Sequence, residues 1–438
     1  MIFLIISILI MISALNNYRN GFIAYLVYQI FWLYGGCLLK VGNKTITYSM
    51  GMTLYFLILY WIKNHQNNFK KIPFPYKIPF IFLILSAFLT CFTSVAGFGN
   101  EFTRAISNIL QDIIIVWLIW RVIKTKQDFR KLYKYTTYVM FFACIYGLLE
   151  FLFKENILLN YKNTLMGGNI GIYSADFARG YRICSFFEHP IGAGLSFAMY
   201  FITTFSLFIK WNIKIPNKNF ALLTAILCVP CALLTKMRSV LLFMIISSLI
   251  FVNFKSKRFF KFIVYGIIVL FLIAPLLGEN INVFLSLFNL NKLITYTNTG
   301  SSLIQRLNQF KAVGHLMLMS PIGGLGELFK EYVFNQYTQA ALSYESIWLE
   351  QMAKHGLVGV IANIILMFYT TIVIPSRYKT KECFWWSLAY WIIYTLSSIP
   401  SFRTVLYYTF MFYLIKNSKV YFNIQNNKNL IKLSKTNN

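Results

Sequence analysis

Charged residues are scarce in this sequence. They make up 12% of its 438 residues, whereas a soluble globular domain carries about 25%. Hydrophobic residues account for 58% of the chain, and the mean hydropathy is +0.60. Too few polar side chains remain to cover a water-soluble surface, so the composition excludes a soluble protein and predicts an integral membrane protein.

Acidic residues are scarcest of all, with 13 Asp and Glu against 41 Lys and Arg and a net charge of +28. More than half of these cations lie in six connections between apolar runs, at 63–77, 121–134, 210–218, 255–261, 376–382 and from Lys416 onward. Those connections contain only two acidic residues, Asp128 and Glu382. Lys and Arg accumulate on the cytoplasmic side of a membrane. We therefore expect these connections and the tail 416–438 to face the cytoplasm, and we expect no nucleic-acid partner.

The apolar runs are long enough to span a bilayer, which requires about 20 residues per helix. Twelve candidate spans lie at 21–39, 46–62, 78–96, 104–123, 132–153, 189–209, 219–235, 239–254, 259–277, 346–374, 383–400 and 402–415. Residues 1–15 are a thirteenth candidate, as a short helix or an interfacial segment, because they lack the charged start of a signal peptide. The predicted fold is an all-α integral membrane protein of about 12 transmembrane helices, a single polytopic domain over 1–438. The stretch 278–345 is predicted to be a large extracytoplasmic loop before the last three spans.

Cysteine usage indicates no redox or metal site. Of the seven cysteines, Cys228 and Cys231 form a CxxC, but this pair lies inside the apolar run 220–235 with no other ligand-type residue nearby. Structural cysteines within helices are predicted, without a disulfide framework.

Three groups of charges lie outside the cytoplasmic connections, on the opposite face of the membrane. They are Asp176, Arg179, Arg182, Glu188 and His189 in 175–194, Lys236 and Arg238 in 234–243, and Arg306, Lys311 and His315 in 301–326. Arginine suits phosphate oxygens because its planar guanidinium donates hydrogen bonds in pairs and keeps its charge. Arg238 at a helix end, taken alone, is more often a snorkelling or dipole-stabilising residue, and the same interpretation is favoured for Lys236 and Lys311. Arg179 can pair with Asp176. Arg182 and Arg306 anchor no neighbouring apolar run, so they are the stronger candidates for a site.

A fourth segment of interest, 342–366, follows the large loop. Glu345 opens its apolar stretch, either as a charge that complements the helix dipole or as a base or acceptor-binding group at the membrane edge. Gly356 and Gly359 are predicted to interrupt the helix. The Gly-rich run 321–326 (PIGGLG) follows no strand and lacks a GK[ST], so it is not interpreted as a nucleotide-binding loop.

With these residues in view, residues 80–400 resemble the O-antigen polymerase and ligase superfamily (Wzy and WaaL type). The resemblance rests on RICSFFEHPIGAG from Arg182, on LTKMRS around Arg238, and on RLNQFKAVGHLMLMSPIGGLG from Arg306. The ligases also carry His-x-(Asn/Ser/Gln), nine residues and Gly-x-x-Gly. Here Tyr344 stands at the His position, before Glu345, Ser346 and the two glycines, and Ile191 replaces the family Asn after Pro. The replacement of His by Tyr favours a polymerase over a ligase.

The resemblance implies an inverting, metal-independent glycosyltransferase on the outer face of the bacterial cytoplasmic (inner) membrane, acting in O-antigen (lipopolysaccharide) or capsule synthesis without a cofactor. The donor would be an undecaprenyl-diphosphate-linked oligosaccharide and the acceptor another lipid-linked repeat unit. Arg182, Arg306 and Glu345 are the expected catalytic residues. Substrate binding is expected from Arg238, Tyr344, His189 and Arg179. Membrane lipid, a chain-length regulator and a flippase of the same pathway are the further expected partners.

Two alternatives stay open at this point. An O-antigen-type ligase would transfer a finished glycan to a lipid or protein acceptor. A transporter or flippase of lipid-linked sugars would need charged residues within its spans, for which Asp112 and Glu150 are the candidates.

Overall fold

The computed structural model describes residues 2–31, 37–41, 44–64, 73–166, 181–187, 189–210, 216–251, 264, 303–333, 346–396, 401–418 and 421. In these ranges the regular secondary structure is helical apart from one short hairpin, in which β1 (Cys37–Val41) pairs antiparallel with β2 (Lys44–Thr47). Four helices are long and apolar enough to cross a membrane by length and composition: Phe98–Val122, Lys126–Phe153, Pro190–Phe208 and Ile347–Tyr378.

The helices of the first half are α1 (Ile2–Asn16), α2 (Tyr18–Phe31), α3 (Tyr48–Asn64), α4 (Lys77–Thr93), α5 (Phe98–Asn108), α6 (Ile115–Val122), α7 (Lys126–Phe153), α8 (Ile157–Met166) and α9 (Pro190–Phe205). Those of the second half are α10 (Lys218–Leu234), α11 (Arg238–Phe251), α12 (Leu303–Met319), α13 (Phe329–Tyr332), α14 (Ile347–Phe368), α15 (Ile374–Tyr378), α16 (Lys381–Leu396) and α17 (Ser401–Lys416). The π-helical segments Ile109–Ile114 and Tyr369–Val373 join α5 to α6 and α14 to α15.

The predicted spans overlap helices of the structure, except for 259–277, which lies outside the described residues apart from position 264. The candidate span 21–39 is wrong in its second half, because α2 ends at Phe31 and the hairpin begins at Cys37. β-branched residues and the pair Gly42–Asn43 favour a hairpin there over a continued helix. Residues 1–15 do form a helix, and α1 packs closely against α2, since a Cβ on Gly21 would lie 2.5 Å from the Cα of Ala14.

The described parts of the basic connections meet at one end of the bundle, while 255–261 lies outside the described residues. Lys63 donates to the carbonyl oxygen of Leu15 (2.6 Å), and Asn217 donates to the hydroxyl of Tyr138 (2.9 Å). At the same end, the ammonium of Lys416 donates to the carbonyl oxygens of Trp120 and Ile123. Connections that are far apart in sequence therefore share an end, as the expected topology requires. We call it the basic end.

The centre of the bundle is α9, whose apolar residues are almost all buried. Polar contacts hold it to α7: Tyr200 donates to Thr137 (2.8 Å), and the hydroxyls of Tyr133 and Thr204 lie 2.6 Å apart. The CxxC is part of this packing, because the sulfur of Cys228 lies 3.5 Å from that of Cys144 and both are buried. The CxxC thus packs inside the bundle, as predicted for structural cysteines.

Candidate functional site

Two of the three predicted charge groups meet at the end of the bundle away from the basic end. Arg182 is only 6% exposed, and its guanidinium lies 3.7 Å from the sulfur of Met237, in the turn between α10 and α11. The backbone N–H of Ile183 donates to the carbonyl oxygen of Leu234 (3.4 Å) at the start of the same turn. The segment that carries Arg182 therefore lies directly on the turn that leads into Arg238.

Close packing of α9 against this turn fixes the arrangement. Gly194 lies where a Cβ would come within 2.8 Å of both the hydroxyl of Thr235 and a methyl of Val240. A larger residue at 194 would push the start of α9 away from the turn. The small residues of the IGAG stretch are thus explained by contact between helices.

A buried carboxylate anchors the Arg182 segment from the other side. Glu150, near the end of α7 and 2% exposed, accepts hydrogen bonds from the backbone N–H groups of Cys184 (3.0 Å) and Ser185 (2.6 Å). The hydroxyl of Tyr181 donates to the same carboxylate (3.3 Å). Ser185 is held with a left-handed φ of 52°, an uncommon conformation for a residue with a side chain. Backbone strain of this kind is often found at functional sites.

Positive charges are gathered around Arg182. The pKa of Lys236, in the turn, is lowered by its burial and by the nearby charges of Arg182 and Lys154. Lys236 is also held with a left-handed φ, of 53°. We call Arg182, Lys236 and Lys154 the cation cluster. Like charges near one another repel, and an anion bound among them would relieve that repulsion.

His189 has a capping role in the structure. It precedes the first residue of α9, and its ring Nδ1 accepts a hydrogen bond from the backbone N–H of Ile191 (3.0 Å). Such a bond satisfies one of the open donors at a helix start. The substrate-binding role predicted for His189 remains a prediction.

Arg306, the third predicted arginine, lies in the first turn of α12. One side of this helix packs against α14, where Ala312, Val313 and Leu316 form a buried cluster with Leu349 and Ala353. Lys311 and His315 are on the exposed side. The large predicted loop 278–345 therefore contains an ordered helix that rests on the helix following Glu345.

The run Pro321–Gly326 connects α12 to the kink of α14. Gly356 has φ 59° and ψ −154°, which interrupts the helix, whereas Gly359 lies in regular helix. The carbonyl oxygens of Pro321 and Ile322 accept the N–H groups of Leu357 (2.9 Å) and Val358 (3.2 Å). The predicted interruption is confirmed at Gly356 and wrong at Gly359.

The glycines of this run are explained by packing. A Cβ on Gly324 would lie 2.4 Å from the backbone of Lys354, and one on Gly326 would lie 2.2 Å from the hydroxyl of Ser94. Both glycines also have positive φ, 75° and 91°. The run is held between α4 and α14, which agrees with its exclusion as a nucleotide loop.

Beside this run lies a charged network that the sequence did not predict. Lys354 forms ion pairs with Glu327 (2.5 Å) and Glu350 (2.6 Å), and His355 lies 3.4 Å from Glu327 and 2.9 Å from the hydroxyl of Thr90. Glu101 accepts the backbone N–H of Glu327 (3.0 Å). We call the residues Glu101, Glu327, Glu350, Lys354 and His355 the ion-pair cluster.

The pKa of Glu327 reflects these partners. Burial by itself raises the pKa, but the ammonium of Lys354 and the imidazole of His355 lower it well below its usual range. The i,i+4 spacing of Glu350 and Lys354 was the only signal in the sequence. Among the described residues, no group of three His, Cys, Asp or Glu side chains is placed to hold a metal ion.

Several predicted site residues lie wholly or partly outside the described part of the chain. Tyr344, Glu345 and Arg179 lie outside it entirely, and so do Asp176 and Glu188. Arg238 and Arg306 are described as the first residue of α11 and a first-turn residue of α12, without their side chains. The structure thus brings Arg182 together with the turn before Arg238, and α12 together with α14. Helix α16 packs against both α11 and α14, partly through Trp348 and Trp391, whose ring centroids lie 5.9 Å apart.

Comparison with known proteins relates part of the chain to a protein family. Residues 223–364 match the family described as O-antigen ligase (Wzy_C). The matched range contains Arg238, Arg306, Glu345 and the ion-pair cluster except Glu101, and it begins after Arg182. No curated protein and no solved structure matches the chain. The match over residues 223–364 supports the resemblance found in the sequence to the O-antigen polymerase and ligase superfamily, and the long apolar helices indicate a multi-pass membrane protein.

Proposed function

We propose that this protein is a polysaccharide repeat-unit polymerase of O-antigen or capsule synthesis. It transfers a glycan from undecaprenyl diphosphate to the sugar end of a second lipid-linked repeat unit, on the outer face of the bacterial cytoplasmic membrane. The family supports lipid-linked oligosaccharide as the substrate class. The observation that carries the proposal is the cation cluster, with Arg182 against the turn that leads into Arg238.

The chemistry of the donor matches this arrangement. When the glycosidic bond breaks, negative charge develops on the diphosphate leaving group. Fixed guanidinium and ammonium groups placed around that charge stabilise it in the transition state without reorganising. We assign Arg182 and Arg306 to the diphosphate and Arg238 to a supporting contact. The open N–H groups at the start of α11 would add to the positive field there.

The acceptor is assigned to Glu345, which precedes α14 by two residues. Its carboxylate would orient or deprotonate the attacking hydroxyl, with Tyr344 beside it binding sugar. Both substrates are tethered to lipid, so a site at the membrane edge removes much of the entropy cost of their encounter. Glycosyl transfer of this kind proceeds with inversion and needs no metal.

The ligase alternative is favoured by one specific observation, the description of the matched family as O-antigen ligase. Tyr344 at the family's His position argues for the polymerase instead.

Transport of lipid-linked sugars has less support, because the carboxylate of Glu150 is occupied by backbone N–H groups of the Arg182 segment. A carboxylate held in this way stabilises the loop and is not placed to follow a moving substrate.

The test is elongation by the purified protein in detergent, with lipid-linked repeat units as the only substrate. Glycans of several repeats on one lipid carrier would support the polymerase. Single repeats moved only to an added lipid or protein acceptor would identify a ligase. An intact, unreacted substrate that is nevertheless translocated across vesicles would identify a transporter.

Two variants test the assigned residues in the same assay. Arg306→Lys keeps the charge but loses the paired donors, so we expect a severe loss of elongation. Glu345→Gln removes the carboxylate, and normal turnover with normal expression would eliminate its role. Lys311→Gln, on the exposed side of α12, is the control and should elongate normally.

A further inference from the structure

A groove at the basic end has no role in the proposed reaction. It lies between α1, α2 and α7 and has a volume of about 630 Å³. Apolar side chains such as Ile6, Ile10 and Val139 line most of its length, and Asn20 and Lys131 lie at one end. It is therefore an apolar channel with a polar, cationic mouth.

The dimensions fit one leaflet of a membrane. The lining residues of α7 run from Lys131 to Phe142, which at 1.5 Å per residue is about 17 Å. Half of a hydrocarbon core of about 30 Å is nearly the same depth. Phe142 is 59% exposed and Tyr135 47% exposed, so the groove opens sideways, where lipid chains would surround the bundle.

The charge at the mouth is positive. The ammonium of Lys131 lies 3.4 Å from the amide oxygen of Asn20, and the ammonium of Lys134 lies 5.8 Å from the ring centroid of Tyr138, which also lines the groove. None of the described lining residues is acidic. The nearby carboxylate of Asp128 is engaged at the start of α7, where it accepts the N–H groups of Lys124 and Thr125.

We propose that this groove binds an anionic diacyl phospholipid of the cytoplasmic leaflet. One acyl chain lies along α7 between α1 and α2, and the phosphate lies at Lys131 and Lys134. Two features select this occupant: basic residues at the cytoplasmic side of transmembrane helices attract anionic headgroups, and the apolar channel continues from that mouth for the depth of one leaflet. The site is independent of the glycosyl-transfer site at the other end of the bundle.

The test uses the full chain in phosphatidylcholine vesicles that contain a minor fraction of phosphatidylglycerol with a photoreactive acyl chain. After illumination, peptide mapping locates the crosslinks, and mass spectrometry counts the phosphatidylglycerol retained after detergent extraction. We expect crosslinks on α1, α2 and α7 within the groove. Crosslinks confined to other surfaces, or a groove filled by a segment of this chain or by a second copy, would overturn the proposal.

Variants separate the headgroup from the acyl chain. The double variant Lys131→Gln, Lys134→Gln should reduce phosphatidylglycerol retention about tenfold. The control double variant, Lys379→Gln, Lys381→Gln, removes the same charge at the basic end and should leave phosphatidylglycerol retention unchanged. Ala24→Phe keeps both lysines but narrows the groove, and should reduce crosslinking within it. Equal loss of phosphatidylglycerol retention in the two double-lysine variants would contradict the site. Undiminished crosslinking within the groove in Ala24→Phe would also contradict it.

Discussion

Two charged groups lie at the end away from the basic end, and they differ in how their charges are arranged. In the ion-pair cluster, Lys354 lies between Glu327 and Glu350, and His355 lies beside Glu327. In the cation cluster, Arg182, Lys236 and Lys154 lie near one another, and the nearby carboxylate of Glu150 accepts backbone N–H groups. Paired charges hold helices together at little cost in repulsion. An anion bound among the like charges of the cation cluster would reduce their mutual repulsion, which is the basis of the diphosphate site proposed above.

The largest expected effect comes from breaking the ion-pair cluster. Lys354→Met would leave the partly buried carboxylates of Glu327 and Glu350, 16% and 20% exposed, without their cation. Because stranding a fully buried charge costs about 3–5 kcal/mol, we expect a loss of stability somewhat below that range. The midpoint of thermal unfolding of the detergent-solubilised protein should fall steeply. The double variant Lys354→Met with Glu327→Gln should recover part of the loss, because it also removes one of the stranded charges.

The control for this experiment is Lys311→Met, on the exposed side of α12, whose midpoint should be close to wild type. If Lys354→Met left the midpoint unchanged but abolished elongation, the ion-pair cluster would belong to the chemistry and the distinction between the two groups would fail.

The second effect concerns Arg182. Arg182→Lys retains one positive charge but loses the planar pair of donors, so elongation should fall by about 100-fold, the magnitude for removing one electrostatic contact to a transition state. The thermal midpoint should change much less than in Lys354→Met. Arg377→Lys, an exposed arginine at the basic end, is the matched control. Full elongation by Arg182→Lys would remove the diphosphate assignment.

The third effect is a pH dependence that arises from Lys236. Its pKa is lowered in the folded protein, so its positive charge is lost at a lower pH than in the unfolded chain. Folding stability then rises with pH through the folded-state pKa, while elongation falls because a cation leaves the site. Lys236→Met should therefore lose several-fold in elongation at neutral pH but show a flatter alkaline profile. An identical alkaline fall in both proteins would assign that fall to another group.

The smallest effect is acid sensitivity from Glu327. Its folded-state pKa lies below the value of about 4.3 for an unfolded Glu, so its stabilisation is present above that pH and is lost as the pH falls through the folded-state pKa. In Glu327→Gln the thermal midpoint should be lower at neutral pH and should fall less on acidification. As a control, Glu382→Gln should show the wild-type dependence of the thermal midpoint on pH. If Glu327→Gln also showed the wild-type dependence, the ion pair would contribute nothing to stability.

Local patterns predicted much of this architecture. Apolar length located the helices, and the Lys and Arg of the connections anticipated that Lys63, Asn217 and Lys416 would lie at one end of the bundle. Gly356 was a correct prediction because a positive φ inside a helix favours glycine. Gly359 was not, since glycine is also used where helices or side chains pack closely, and sequence alone does not distinguish the two uses.

The contacts that the sequence did not reveal join residues far apart along the chain. Thr90 and His355 are separated by 265 positions, and Glu101 and Glu327 by 226. Glu150 was noted only as a charge near the end of a span, although it anchors the segment of Arg182 from 34 positions away. Such pairs depend on how helices pack, which periodicity and charge alternation leave open.

The kink at Gly356 has a mechanical consequence. A continuous helix transmits a tilt along its whole length, but here the N–H groups of Leu357 and Val358 bond to Pro321 and Ile322 across the break. Leu325 and Gly326 of the same 321–326 run donate to the carbonyl oxygens of Ala353 and Lys354 before the break (3.0 and 2.9 Å), so the run bridges the two parts of α14. A tilt of the span would therefore reach the start of α14 through the 321–326 run as well as through the helix itself.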